Sequence, residues 1–399
     1  MNQIKDPLQI VHGRVLGPGP QTSTVILEFA PERRPEPGTV WTGEGGALAE
    51  VLRPLNPSDV LAAVRCGPSP HTGTTLQAHP QPLHTPAPEA LWQTSARPCL
   101  GPSEQTPSLP LGTLEPGAGA ASEVQPPSKQ PQWTFGHPGV DVLAPLMGGE
   151  ALALYEPDPA ALASLAAAHV PFIAEQAKAR VLWVAGSPQA PSPPKGVEAI
   201  ELRAQPHHKG QQALLMRATL TIAQAIEGPL LVVFYDPMPA LVSWKEVDGL
   251  GASSGQMALA QFQAALDGLH TKGATVLGFV PDDPLWTGRL GPGDLSPGRT
   301  MASQAHFAHG KLDLSQCSTA VVKQTSAPLQ AMNEACRELL AASEALSDYA
   351  QIFGEQELDE GLDEVLSIHA GLQTWLSAKP SVPQTLDNTL KQGTQIIQG

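Results

Sequence analysis

The chain has 399 residues, a formal net charge of −15 and only 15% charged side chains. That length accommodates two or three domains, and the acidic balance argues against binding nucleic acid or an anionic membrane through a positive patch. No uninterrupted apolar stretch approaches roughly 18 residues and residues 1–7 hold no secretory core, so a soluble intracellular protein without direct membrane insertion is expected.

Residues 1–85 predict a small β-barrel. Short apolar runs at 10–16, 22–29, 46–52 and 60–65 recur about every ten residues between Gly, Pro and Asn breaks. Residues 86–132, rich in Pro, Gly, Ser and Thr, read as a linker or long surface loop. From 133 to 320 strands and helices alternate, which predicts an α/β domain. Its buried parallel strands fall at 151–154, 180–185, 230–235 and 274–280, and its helices at 160–176, 211–226 and 256–270. Residues 321–399 predict a helical domain, with amphipathic helices at 328–353 and 358–376. Cys66, Cys99, Cys317 and Cys336 show no C-x-x-C spacing, so neither a zinc site nor a disulfide framework is indicated.

The stretch after the first α/β strand reads Tyr155, Glu156, Pro157, Asp158, Pro159. A phosphate-cradling loop at such a place needs converging backbone N–H groups and a Lys. Here two prolines each delete an N–H, two acids add negative charge, and no Gly or Lys is present. Asp158 followed by Pro159 is instead an N-cap with Pro at the first helical position.

Five segments, in order, resemble the α/β subunits of rotary F-type ATP synthases. Residues 71–91 resemble the family's segment leaving the barrel. Residues 135–150 (FGHPGVDVLAPLMGGE) are similar to the TGIKAIDLLAP-x-x-x-GG approach to the P-loop. Residues 231–246 (LVVFYDPMPALVSWKE) look like the Walker B strand of α-type subunits. Residues 349–359 are similar to the AQFGSDLD step, and residues 372–376 to the helix beyond it. The resemblance implies a barrel, a RecA-like P-loop domain and a helical domain. It also implies a Walker A position at 155–162 that has lost its function.

In that family, catalysis needs a phosphate cradle, a Mg²⁺ ligand, a water-orienting carboxylate and a transition-state cation. The degenerate cradle positions are Tyr155, Glu156, Pro157, Asp158 and Pro159. The strand after the cradle helix leads into residues 184–191, which carry no acid. Gln316 stands where the resemblance puts an arginine finger, and a Gln cannot supply delocalised positive charge. Asp236 alone matches a Mg²⁺-related position, although a carboxylate capping the turn at Pro237 is the ordinary alternative.

Other polar groups specify no reaction. His207, His208 and Lys209 lack a third ligand at metal spacing. Asp282 and Asp283 have no His or nucleophile nearby, and Asp294, Ser296 and Arg299 lie in a Gly/Pro-rich loop. The acidic run at 355–364 sits where the family's turn faces the central stalk, and is equally a solvated acidic turn.

The expectation is therefore a non-catalytic pseudo-ATPase in a proton-translocating ATPase head, with no catalytic residue and no metal site. Its partners would be intact F-type α/β subunits and the central stalk, on the cytoplasmic or organelle-matrix side and peripheral to a membrane. No cofactor is expected beyond weak binding of ATP or ADP with Mg²⁺. The alternatives are a stand-alone α/β protein-interaction module and an active ATPase with a rebuilt phosphate site.

Overall fold

The computed structural model describes residues 12–20, 23–90, 107–112, 131–187, 189–203, 208–248, 254–281, 301, 303–319, 325–353, 360–378 and 382–398. The first six strands are β1 (His12–Pro18), β2 (Thr24–Glu28), β3 (Val40–Thr42), β4 (Leu48–Pro54), β5 (Asp59–Cys66) and β6 (Thr75–Ala78). They close into a barrel in the order β1-β2-β5-β4-β3-β6, with β6 returning to β1. Closure removes exposed sheet edges. Val15, Leu27, Trp41, Val51 and Leu76 fill the interior. The sequence runs mark β1, β2, β4 and β5, whereas β3 and β6 are too short to carry a pattern.

One barrel strand faces two cores. On β5, Val60, Ala62 and Val64 point into the barrel, while Ala63 joins the core of the following α/β layer. Two short strands, β7 (His84–Pro86) and β8 (Ser108–Pro110), pair antiparallel. Part of the Pro-rich stretch is thus ordered: Arg217 donates to the Gly112 carbonyl at 2.8 Å. Residues 91–106 and 113–130 lie outside the described residues.

The α/β layer begins with β9 (Gln132–Trp133), α1 (Pro138–Leu143) and β10 (Leu146–Met147). Next come β11 (Ala151–Tyr155), α2 (Pro159–Ala177), β12 (Arg180–Ala185) and β13 (Ala199–Arg203). The chain continues through α3 (Lys209–Gln212), α4 (Leu215–Ala225), β14 (Leu230–Tyr235), α5 (Met238–Val247) and α6 (Ser254–Lys272). The layer ends with β15 (Thr275–Val280), β16 (Ser303–Ala308) and β17 (Lys311–Thr319). The main sheet runs β13-β12-β14-β15-β11-β16-β17, parallel except for the β16–β17 hairpin. The one helix expected over 211–226 is two, α3 and α4, broken at Ala213 and Leu214.

Alternate residues of each central strand feed opposite cores, as period-two geometry requires. Ala153, Val184, Val232 and Val276 face α4 and α6. Leu152, Trp183, Val233 and Leu277 face α2. Trp183, Tyr235 and Phe279 stack across three strands on that second face, with ring centres 5.7 and 5.9 Å apart.

Three helices follow: α7 (Ala327–Phe353), α8 (Glu360–Ser377) and α9 (Leu386–Ile397). They dock on the α2 side. Asn333 donates to the Val142 carbonyl at 2.6 Å and Arg337 to the Leu143 carbonyl at 3.0 Å, satisfying carbonyls at the end of α1. Gly139 lies so close to α8 that an added Cβ would stand 2.3 Å from the Leu376 carbonyl oxygen. No helix among the described residues is long and apolar enough to cross a membrane.

Candidate functional site

Open α/β sheets bind ligands beyond the carboxyl ends of their strands, where neighbouring strands send their connections in opposite directions. Here that point lies between β11 and β15. From β11 the chain crosses to β12 on one side, and from β15 it passes to β16 on the other. The register aligns the ends: Tyr155 pairs with Val280 and with His306, and Tyr235 with Phe279. The loop at 155–159 therefore lies at the carboxyl end of β11, beside that point.

Each residue of this loop has an internal task. Tyr155 is buried and stacks on His306, with ring centres 4.2 Å apart. Asp158 accepts from the Ala160 N–H at 2.9 Å and Pro159 opens α2, the expected N-cap arrangement. Pro157 and Pro159 have no N–H to offer.

Glu156 is fully buried. One oxygen, Oε1, accepts the N–H of Asp158 at 3.0 Å and that of His309 at 3.2 Å; Oε2 accepts the Gly310 N–H at 2.7 Å. Its own N–H donates to the Val280 carbonyl at 3.2 Å. The sequence reading missed His309 and Gly310, which lie more than 150 residues away on the β16–β17 turn. A His-Gly pair between two short strands was the available signal.

Asp236 directly follows β14 with φ of +50°, a left-handed conformation that Asp tolerates better than most residues. Its N–H donates to the Phe279 carbonyl at 2.8 Å. One strand, β15, separates β14 from β11, which places Asp236 about 10 Å from the Tyr155 loop at two strand spacings. Gly186, after β12, packs so tightly here that an added Cβ would meet the Asp236 carbonyl oxygen at 2.1 Å. Beside it, burial and then the Asp236 charge push the Tyr235 phenol up to about 12.

Gln316 lies exposed on β17, and its amide donates to Asp313 at 3.0 Å. Residues 184–187 and 189–191, which end and follow β12, carry no acid, but Glu201 on β13 lies beside that strand. It pairs with Arg203, which in turn donates to the Pro191 carbonyl at 3.2 Å. Of the adjacent histidines, His208 precedes α3 and Lys209 pairs with Glu246 at 3.2 Å. His207, Asp282, Asp283, Asp294, Ser296, Arg299 and residues 355–359 lie outside the described residues, as does Cys99. Cys66, Cys317 and Cys336 are free thiols.

Cavities among the described residues lie elsewhere. One, of about 460 Å³, opens at the opposite, amino-terminal ends of the central strands between Trp133, Gly149 and Gly273. Another, of about 690 Å³, lies between β17 and α8 beside Asp313 and His369. Neither is lined by a described residue of 155–159 or by Asp236.

The residues at β11 do not fit a magnesium–nucleotide phosphate tail. Charge-assisted bonds from backbone N–H and a cation hold such a tail. At this loop the Asp158 and Ala160 amides already serve carboxylates, and the nearest acidic side chain is buried among them. No group of three His, Cys, Asp or Glu able to hold a metal occurs among the described residues. A comparison with protein-family models finds no match, and no curated protein compared with the chain matches it.

Proposed function

We propose that this chain is a non-catalytic relative of F-type ATP synthase α/β subunits, a structural or regulatory member of a proton-translocating ATPase head. The observation that carries this reading is the end of β11, where Glu156 takes backbone amides at the position that a phosphate-binding strand would use. The succession of barrel, α/β layer and helices supports it, as does the placement of Asp236 one strand beyond the neighbour of β11. On this reading the α/β layer is a RecA-like domain whose nucleotide site has been closed from within. Its partners are intact sister subunits and the central stalk. The chain contributes packing surfaces to a ring, and the chemistry belongs to the partners. Fold likeness alone does not fix function, so the test is direct.

Native mass measurement after co-expression with intact F-type α and β subunits should find the chain in a heteromeric assembly. ATP binding with Mg²⁺ should be no tighter than about millimolar, because each lost charge-assisted hydrogen bond removes roughly 1.5–3 kcal/mol. No ATPase rate sensitive to Asp236→Ala should be seen. A monomer at micromolar concentration that ignores those subunits would end the ring reading and leave a stand-alone interaction module. A rate abolished by Asp236→Ala would instead restore an active enzyme.

A further inference from the structure

We infer that the backbone amides of Asp158, His309 and Gly310 form a small-oxyanion site whose resident ligand is the chain's own Glu156 carboxylate. The contact closes the end of β11 to anions from outside.

The geometry begins with the hairpin. Ala308 pairs with Lys311, leaving His309 and Gly310 as a two-residue turn with φ of +53° and +77°. Positive φ at both central residues is the type I′ arrangement. Successive turn amides outside the ladder can form a concave anion-binding nest. The Glu156 carboxylate sits against it, at 3.2 Å from the His309 nitrogen and 2.7 Å from that of Gly310. The third donor, Asp158 N, comes from the other side at 3.0 Å.

The donors are all main-chain, and no ion pair to Glu156 occurs among the described residues. Recognition by amides alone asks for oxygen lone pairs and negative charge, and not for a particular substituent. The matching class is therefore small oxyanions, carboxylates first, since a carboxylate already fits. Being tethered, Glu156 competes at the high effective concentration of an intramolecular ligand. Free anions are excluded while it is in place. The inference rests on the amide geometry and not on ring membership, so the assembly experiment and the one below fail independently.

The experiment is chemical rescue of Glu156→Ala by formate. Thermal unfolding is followed for the full chain and the variant in about 100 mM sodium formate or in sodium chloride of equal ionic strength. In the variant, formate should raise Tm by about 2 °C over chloride, with no such difference in the parent. The amide proton resonances of His309 and Gly310 should move upfield in the variant and return with formate. Equal behaviour in formate and chloride, with those resonances unmoved by formate, would overturn the inference. Should Glu156→Ala not fold, Glu156→Gln keeps the side-chain size and removes the charge. An upfield Gly310 amide in that variant supports the site, and an unchanged one overturns it.

Discussion

Arg65 on β5 reaches Asp248, just past α5, at 2.8 Å across 183 residues of sequence. The same guanidinium takes Glu50 on β4 at 2.8 Å, and Arg217 on α4 approaches Glu50 at 2.9 Å. These four groups fasten the barrel to the α/β layer through one buried ionic network. Burial pushes the Glu50 carboxyl up, but Arg65 and Arg217 outweigh it and hold it below the ordinary value. For Asp248, burial outweighs the attraction of Arg65 and the carboxyl lies above its usual value.

Removing one member of such a network leaves uncompensated charge in a dry place. Arg65→Met should therefore cost about 3–5 kcal/mol in urea unfolding. Replacing the exposed Arg34, which donates to the Asn56 carbonyl at 3.3 Å, should change stability by less than about 0.5 kcal/mol. Equal effects of the two would contradict the network's role.

The same interface sets an unusual sign for a helical glycine. Gly→Ala inside a helix ordinarily stabilises by about 1 kcal/mol. Gly210 is the second residue of α3, and an added Cβ there would lie 1.8 Å from the Val64 carbonyl oxygen of the barrel. Gly210→Ala should lower Tm, because backbone must move to relieve the overlap. An unchanged or raised Tm would show that the barrel does not press this closely on α3.

Below neutrality the chain should lose stability through two buried histidines. His137 is fully buried, and its ring nitrogens have no hydrogen-bond partner among the described residues. Burial, and then the nearby His169, lower it to about 3. Burial lowers His169 to about 4, while its Nδ1 lies 3.0 Å from the Phe135 carbonyl oxygen. Each stays neutral in the fold but takes a proton when unfolded below its ordinary value near 6.5, so stability falls as pH drops from about 6.5 toward 4. Asp141 opposes this: burial raises it to about 7, so the fold holds its proton at pH values where the unfolded chain has released it. His137→Leu should remove about one proton from the linkage between pH 4 and 6, flattening the slope by about 1.4 kcal/mol per pH unit. Urea unfolding at three pH values measures it, and an unchanged slope would refute it.

Asp158 tests the loop's reading as a helix start. Its carboxylate accepts the Ala160 N–H, so Asp158→Ala should cost about 1 kcal/mol, within the 0.5–2 kcal/mol range of N-cap loss. Asp158→Asn should retain most of the stability, since Asn caps about equally well. A loss in Asn matching that in Ala would mean the negative charge, not the cap, matters there.

Long patterned segments were legible without a structure. Continuous apolar runs announced β11, β12, β14 and β15, because a strand buried on both faces has no polar positions to spare. The alternating run of β13 and the strand β16 escaped notice, and only the family resemblance pointed to β17. Their patterns are mixed with Glu201, Arg203, His306 and Asp313, which sit at an edge or a hairpin where polar residues are tolerated. α9 was missed as well, since its polar face and short length hide the apolar contacts of Leu386, Leu390 and Ile396.

Local chemistry in the sequence was enough to determine that the turn after β11 lacks glycine and lysine and that Asp158 and Pro159 start a helix, because caps and proline effects act within four residues. What Glu156 does was settled only in three dimensions. Its partners are two amides of a hairpin 153 and 154 residues further on, and backbone N–H groups carry no side-chain identity for a sequence pattern to display. Sheet order brings them together, and sheet order follows from the packing of whole strands and helices.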